Sequence, residues 1–206
     1  MKIFDMEQGT DEWFEARKGL ATASRFRDVF TSTGKASASQ DKYINELIAE
    51  MMSRKPLENF TSEWMRRGTE LEPEARTYYE LETDVEVQEV GFAVMDLDEV
   101  AVDATGRIGG SPDGIFEGGG LEIKCPSPAK HVEYLRKGKC PPEYFPQVQG
   151  LMLIFDVQQW DFMSYHPDMD KQLIITVPRD NGWTEGFMNA AIKFNNKMQK
   201  ALEQIA

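Results

Sequence analysis

The sequence predicts an α/β fold in which helices come first and a mainly antiparallel or mixed β-sheet follows. The first part of the chain groups into helical segments. Later segments alternate apolar and polar side chains at a period of two, as half-buried strands do. The 206 residues, without an internal repeat or linker, predict one domain over 1–206, with a helical part at about 10–82 and a sheet-containing core at about 85–206.

Local signals predict the individual elements. Thr10 is a candidate N-cap for the first helix, and Pro73 indicates either a kink or a fresh start within a later one. Small polar residues at 31–40 are typical of a loop. Helices are predicted at 10–18, from Thr22 with Phe26, Val29 and Phe30 on one face, at 41–53, 62–82, 127–137, 143–155 and about 181–204. Strands are predicted at 85–90, 91–95, 100–103, 107–110, 113–117, 121–125, 159–165 and 171–177.

The composition is typical of a soluble globular protein, with 41% hydrophobic and 28% charged residues. No apolar run approaches the ~20 residues that a membrane span needs, and the first residues do not resemble a secretory signal. Cys125 and Cys140 are too few for an iron–sulfur cluster, and two thiols are typical of a reducing compartment. We therefore expect a cytoplasmic protein with no membrane partner.

The net charge of −12 disfavours contact with nucleic acid over the whole surface, because phosphate binding normally needs Lys and Arg. A basic lining can nevertheless coexist with an acidic exterior. The basic residues do cluster, at Arg17-Lys18, Arg25 with Arg27, Arg66-Arg67, and from Lys130 to Lys139. Charge alone leaves the partner undecided.

A candidate catalytic hairpin occupies residues 110–124, which read GSPDGIFEGGGLEIK. Three glycines permit a tight turn between two strands, which brings Asp113 across from Glu122 and Lys124. Glu122 and Lys124 are two residues apart in a strand, so they share a face, while Leu121 and Ile123 point to the core. Two carboxylates and one ammonium group therefore converge.

This patch suits the hydrolysis of a phosphodiester. Mg²⁺ prefers oxygen ligands and keeps several waters, so one or two carboxylates suffice to hold it. A nearby lysine can orient the attacking water or stabilise the developing charge. The competing interpretation is a surface hairpin with an ordinary Glu–Lys pair, and the residues of the hairpin alone leave both open.

Motifs in a fixed order extend the pattern beyond the hairpin. Pro112-Asp113 followed by Glu122-Ile123-Lys124 resembles the PD-(D/E)xK nuclease superfamily. The chain from about residue 3 to about 200 is similar to the phage lambda exonuclease, or YqaJ-type viral recombinase, family. The resemblance implies a restriction-endonuclease-like core, with a central mixed β-sheet flanked by helices. The motifs that carry it are Gln8-Gly9-Thr10 with Trp13, Arg17 to Ser24, Gly68 to Arg76, Ser111 to Gly114, Leu121 to Pro126, and Gln147-Val148-Gln149.

The resemblance implies roles around the hairpin. Asp113, Glu122 and the backbone carbonyl of Ile123 would be metal ligands, for two Mg²⁺ per site with Mn²⁺ as a substitute. Lys124 would position or activate the nucleophilic water, and Glu72 would lie close to the metals. A solvated carboxylate on a helix is the alternative for Glu72.

Further roles concern the DNA. Gln147 would reach the catalytic site, and Arg17, Ser24 and Ser111 would bind the 5′-terminal phosphate, which a guanidinium and hydroxyls can grip. Met65 is a candidate wedge between the strands, with Arg66 or Arg67 on phosphate. The alternatives are a buried amide for Gln147, an ion pair of Arg17 with Asp11 or Glu15, an N-cap for Ser24, a turn for Ser111, and core packing for Met65 and Trp64.

The implied activity is 5′→3′ digestion of one strand of linear double-stranded DNA to mononucleotides. The family forms ring-shaped homotrimers, and a ring would give DNA ends a basic channel inside an acidic exterior. The resulting 3′ overhang would pass to a single-strand annealing protein in phage-type DNA recombination. Two alternatives remain, an endonuclease of the same superfamily and a non-catalytic DNA-binding or assembly module.

Overall fold

The structure, a computed structural model, describes residues 1–53, 63–97 and 106–205, apart from the side chains of 63–65. The helices are α1 Asp11–Arg17, a 3₁₀-helix Ala23–Asp28, α2 Gln40–Met52, α3 Glu63–Thr83, α4 Pro128–Lys137, α5 Phe145–Phe155 and α6 Asn181–Glu203. The strands are β1 Lys2–Phe4, β2 Ala21–Thr22, β3 Phe92–Asp96, β4 Arg107–Gly110, β5 Gly114–Phe116, β6 Gly119–Lys124, β7 Gln159–Ser164 and β8 Leu173–Pro178. The mixed α/β class is confirmed, and the single-domain organisation over 1–206 stays a prediction.

The described strands form two four-stranded mixed sheets rather than one central sheet. The first has the order β1-β3-β4-β2 and the second β5-β6-β7-β8. Each contains one parallel pair, β2 with β4 and β6 with β7, among antiparallel neighbours. Between β4 and β5 lie only Ser111, Pro112 and Asp113. Pro112 cannot donate a ladder hydrogen bond, which suits it to this break between the sheets.

Helix α5 lies at the centre of the largest apolar cluster and is buried over most of its length. Phe26 of the 3₁₀-helix packs so closely on Gly150 that a Cβ there would overlap its ring. Helix α3 packs on β6, where Ala75 and Tyr79 join the buried Leu121 and Ile123. The predicted inward face of β6 is therefore confirmed, and α3 and β6 are held together beside the hairpin.

Several predicted elements need correction. Residues 85–90 alternate in polarity but form no strand, and only Gln88 pairs, through a bridge to Ile115. The helix expected from Thr22 is a short 3₁₀-helix preceded by strand β2. Pro73 lies inside the continuous helix α3. The strand predicted at 100–103 lies outside the described residues.

The helix caps show how local sequence sets the boundaries. The Thr10 side chain accepts a hydrogen bond from the Trp13 backbone N–H at 3.3 Å, which confirms it as the N-cap of α1. Asp180 caps α6 in the same way through Trp183. Within the described ranges, no helix combines the length and the apolar character that a membrane crossing requires.

Candidate active site

The β5–β6 hairpin has the predicted tight turn, because Phe116 pairs with Gly119 across two connecting residues. Of the hairpin's glycines, Gly118 supplies the positive φ, at +84°. Gly119 and Gly120 lie in β6, where they meet a different requirement. A Cβ on Gly120 would lie within 3.0 Å of the buried Trp160 ring, so this glycine is needed for packing rather than for the turn.

Asp113 lies at the mouth of the hairpin, one residue before β5. Its Oδ2 accepts a hydrogen bond of 2.6 Å from the backbone N–H of Ile123. Its own carbonyl accepts one of 3.2 Å from Nε of Arg76, on α3. The carbonyl of Pro112 accepts another from Gln8, at 3.0 Å. The position of this aspartate is therefore set by contacts from three parts of the chain.

Glu122 and Lys124 share a face of β6 and are in direct contact, as predicted. The side chain of Glu122 is fully buried, and its Oε1 accepts a hydrogen bond from the Lys124 ammonium group. Its Oε2 is also buried but has no hydrogen-bond partner. Lys124 keeps 26% of its side chain exposed, and its Nζ lies 5.4 Å from the centre of the Tyr144 ring. The pair is therefore not an ordinary surface ion pair.

The acids perturb one another strongly. Burial, followed by the charge of Asp113, raises the pKa of Glu122 to about 8. The same two causes raise the pKa of Glu72 to about 7, which indicates that this residue of α3 belongs to the same cluster. Burial also raises the pKa of Asp113. Burial opposes the charge on Lys124, but the carboxylates of Glu122 and Asp113 outweigh it and raise the pKa of the lysine.

The donor set fits a hard divalent cation. The unpartnered Oε2 of Glu122 is a buried oxygen without a proton donor, which is costly unless a cation or a proton meets it. Asp113 and Glu72, whose charges act within the same cluster, offer further carboxylate oxygens, and oxygen ligands are the preference of Mg²⁺ and Mn²⁺. In the described ranges no group of three acidic, histidine or cysteine side chains is arranged to hold a metal ion. A site with fewer side-chain ligands leaves positions for water and substrate oxygens.

A second polar cluster lies beside the hairpin, around Arg17 at the end of α1. The guanidinium carbon of Arg17 stacks 3.8 Å above the centre of the Trp13 ring. Its Nη1 donates to Oγ of Ser111 at 3.3 Å, and its Nη2 donates to the Thr22 hydroxyl at 3.5 Å. Burial lowers the pKa of Arg17 to about 10. No ion pair to Asp11 or Glu15 forms within the described residues.

Ser111 is the centre of this cluster. Its Oγ accepts hydrogen bonds from Nε1 of Trp13, at 2.8 Å, and from Arg17. Because both partners are donors, neither bond uses the hydroxyl proton of the serine. That proton and the Arg17 guanidinium leave donors available for an anion two residues from Asp113. The predicted proximity of Arg17 and Ser111 is confirmed, and their binding of phosphate stays a prediction.

The other predicted site residues are less closely tied to these clusters. Ser24 is exposed in the 3₁₀-helix, whose N-cap is Thr22, so the N-cap alternative for Ser24 is wrong. Gln147 is half-buried in the first turn of α5. The buried amide is Gln149, which bonds the backbone of Pro178 and Asp180. The wedge prediction for Met65 concerns a side chain outside the described set.

Arg67 is held by contacts within the chain, and the placing of Arg66 or Arg67 on phosphate stays a prediction. Its Nη1 donates to the carbonyls of Cys125 and Pro126, at 3.4 and 3.3 Å, and its Nη2 lies 3.3 Å from Nε2 of His166. His131 of α4 is fully buried. Its ring nitrogens contact the Ser164 hydroxyl and the carbonyl of Lys171. These contacts show that this face of α4 packs against β7.

For three residues near the site, the sequence predicted no role. Trp13 and Arg76 lie inside the motifs that carry the family resemblance. The neighbouring sequence does not show, however, that Trp13 stacks on Arg17 or that Arg76 reaches Asp113. Tyr144 precedes the glutamine motif and places its ring beside Lys124. A signal existed for Arg76, since it follows Glu72 by four residues and therefore shares its helix face.

Comparison with known proteins places this geometry in context. The model of the YqaJ-like viral recombinase domain matches residues 12–158. The chain is similar to the alkaline exonuclease LHK-Exo from Laribacter hongkongensis, with 34% identity, 95% of this chain and 96% of that chain covered, and a TM-score of 0.82. A structure of LHK-Exo in complex with dAMP matches at 35% identity, the same coverage and a TM-score of 0.81.

A phage-related exonuclease from Haemophilus somnus 129PT is more distant. It is 14% identical, with 89% of this chain and 96% of that chain covered, and has a TM-score of 0.66. At this identity the likeness concerns the fold alone. No curated protein sequence matches the chain.

Proposed function

Because the chain belongs to the family of YqaJ-like viral recombinase domains, we propose that it is a Mg²⁺-dependent 5′→3′ DNA exonuclease. Its substrate is linear double-stranded DNA, of which it degrades one strand to mononucleotides and leaves a 3′ overhang. The similarity to an alkaline exonuclease over nearly the whole of both chains supports the reaction class. The dAMP complex of that enzyme supports a site that accommodates a mononucleotide.

The observation that carries the metal dependence is the buried, unpartnered Oε2 of Glu122 beside Asp113 and Glu72. Mutual repulsion and burial disfavour three ionised carboxylates here, and a divalent cation relieves both. We assign Asp113, Glu122 and the Ile123 carbonyl as ligands for Mg²⁺, two ions per site, with Mn²⁺ as a substitute. Bound Mg²⁺ would supply Lewis-acid stabilisation of charge on the phosphate and lower the pKa of water.

The chain's own residues perform the remaining tasks. Lys124 holds its ammonium group against Glu122 and at the partly exposed edge of the site, where it orients the attacking water and meets the developing negative charge. Glu72 accepts hydrogen bonds from water on the side of α3. Gln147, from the start of α5, contacts water or substrate. Met65 separates the strands ahead of the site.

Preference for a 5′-phosphorylated end rests on Arg17 and Ser111, with Ser24 as a further contact. The stack on Trp13 and the bond to Ser111 fix the guanidinium before any ligand arrives, which lowers the entropic cost of binding an anion. Arg17 is buried, and among the described residues no carboxylate forms an ion pair with it. Its charge is therefore available to the terminal phosphate.

Assembly and context follow the family. We propose a homotrimeric ring, whose basic lining receives DNA ends while the acidic exterior faces water, consistent with the net charge of −12. The 3′ overhang passes to a single-strand annealing protein. The setting is the cytoplasm of a bacterial host, in a recombination system of a phage or prophage.

A nuclease assay with matched ends tests the proposal. Linear duplex with 5′-phosphate or 5′-hydroxyl ends is incubated beside closed circular DNA, with MgCl₂ or with EDTA, and products are separated by chromatography. We expect mononucleotides from the phosphorylated linear duplex with MgCl₂ only. A label at the 3′ end of the degraded strand should be released last.

Each contrary outcome has a distinct meaning. Cleavage of the circle would indicate an endonuclease of the same superfamily. Equal rates on the two 5′ ends would remove the role of Arg17 and Ser111. Binding of DNA ends with no hydrolysis under any metal condition would indicate a non-catalytic module.

A further inference from the structure

Arg76 is a buried cation that the proposed function has not yet used. It lies on α3 one turn after Glu72, and only 14% of its side chain is exposed. Residues four apart on a helix are neighbours on one face, so Arg76 and Glu72 approach the hairpin together.

The Arg76 guanidinium joins two other parts of the chain to α3. Its Nε donates to the backbone carbonyl of Asp113 at 3.2 Å, and its Nη1 lies 2.7 Å from Oε1 of Glu89. The segment that carries Glu89 is itself fixed to β5, by backbone hydrogen bonds of 2.8 and 2.9 Å between Gln88 and Ile115. The two partners of Arg76, the carbonyl of Asp113 and the carboxylate of Glu89, therefore lie on the two chain segments that frame the hairpin.

These contacts hold together two elements whose acidic residues repel each other. Glu72 and Asp113 stand on separate elements, and their carboxylates repel each other. The hydrogen bond from Ile123 fixes the Asp113 side chain relative to β6 but does not involve α3. The bond from Arg76 connects the backbone of Asp113 to the helix that carries Glu72, so the two acids keep a fixed separation despite their repulsion.

We propose that Arg76 is a positioning residue that holds Asp113 and Glu72 at the separation needed to bind a divalent cation. The inference rests on the proposed metal dependence and adds a residue that touches neither substrate nor metal. Groups that orient metal ligands through hydrogen bonds typically alter metal affinity or activity by about 10–100-fold when removed.

A positioning role and a purely electrostatic role of Arg76 predict opposite changes in metal affinity when the residue is replaced. A guanidinium near a cation site repels the cation, so loss of its charge alone would tighten metal binding. Loss of the bond to Asp113 would weaken binding, because the acids would move apart. Arg76→Lys separates the effects further: it keeps the charge, but a single ammonium group does not reproduce the fork that contacts two partners.

The experiment is a thermal-shift titration of the DNA-free protein with MgCl₂, at fixed pH and ionic strength. The measured quantity is the MgCl₂ concentration at half of the maximal stabilisation. Arg179→Gln is the matched control, since Arg179 is equally buried, at 13% exposed, and is paired with Asp156 at 2.9 Å. We expect Arg179→Gln to lower the melting temperature and leave the midpoint unchanged.

For Arg76→Gln the midpoint should rise about 10-fold, and for Arg76→Lys it should rise as well. An unchanged or lower midpoint in Arg76→Gln would overturn the proposal. If that variant does not fold, an unchanged midpoint in Arg76→Lys does the same. A wild-type protein that neither responds to MgCl₂ nor needs it to cleave linear duplex would instead refute the metal-dependent function, and the inference with it.

Discussion

Replacing Glu72 by glutamine should stabilise the metal-free protein at pH 8, although it removes a proposed site residue. Burial and the charge of Asp113 raise the pKa of Glu72 from 4.5 to about 7. The folded protein therefore binds this proton more tightly than the unfolded chain does. Its stability falls as the pH rises from about 4.5 to about 7, and the full penalty is present near pH 8. Glutamine does not ionise and escapes that penalty.

The magnitude follows from the displacement of the pKa. At about 1.4 kcal/mol per pH unit, the displacement corresponds to about 3 kcal/mol for a fully buried group. Glu72 is partly exposed, and solvent screening reduces this to about 1–2 kcal/mol. For a chain of this size, the melting temperature should rise by roughly 2–8 °C at pH 8, and by about a quarter of that at pH 5.

Thermal unfolding in EDTA at the two pH values measures the effect. Glu82→Gln is the control, because it makes the same charge change at an exposed position of the same helix. MgCl₂ should then stabilise the wild-type protein more than it stabilises Glu72→Gln. If Glu72→Gln and Glu82→Gln behaved alike at pH 8, or if the gain were equal at both pH values, Glu72 would not belong to a repelling cluster.

Three other variants test separate features. Lys124→Ala should abolish hydrolysis while retaining binding to DNA ends in a gel shift, whereas Lys137→Ala, which alters an exposed lysine of α4, should stay active. Ser111→Ala should reduce the rate on 5′-phosphorylated duplex by about 10-fold or more and spare the 5′-hydroxyl duplex, since hydrogen bonds to charged groups contribute about 1.5–3 kcal/mol. An equal loss on both substrates would argue against the phosphate contact. Gly120→Ala should destabilise the fold by about 1–3 kcal/mol through overlap with Trp160, and an unchanged urea midpoint would show that the ring moves aside.

The sequence predicted the shared face of Glu122 and Lys124 because strand alternation is a local property. It also predicted that Asp113 would meet them, since a two-residue turn fixes the register of the hairpin. It did not reveal that Glu122 is fully buried with an unpartnered oxygen. Burial depends on elements remote in sequence, such as α5, which packs on β6 and begins more than twenty residues after Glu122.

The errors have physical causes as well. Residues 85–90 alternate because Val85 and Val87 pack on the α3–β6 cluster, and an extended segment can bury alternate side chains without pairing along its length. Gly119 and Gly120 looked like turn residues, yet aromatic rings from Phe116 and Trp160 fill the space that their side chains would take. The sequence alone does not distinguish a glycine required by a turn from a glycine required by close packing.

The three residues between β4 and β5 tie two events of the proposed reaction together. Ser111 contacts Arg17, and Asp113 accepts a hydrogen bond from the backbone of β6. The proposed phosphate contact and the proposed point of cleavage are therefore separated by two residues of chain, roughly 7 Å at full extension. This fixed distance along the chain would set the length of each released fragment independently of base sequence. The size of the product would then depend on the backbone of the three consecutive residues 111–113.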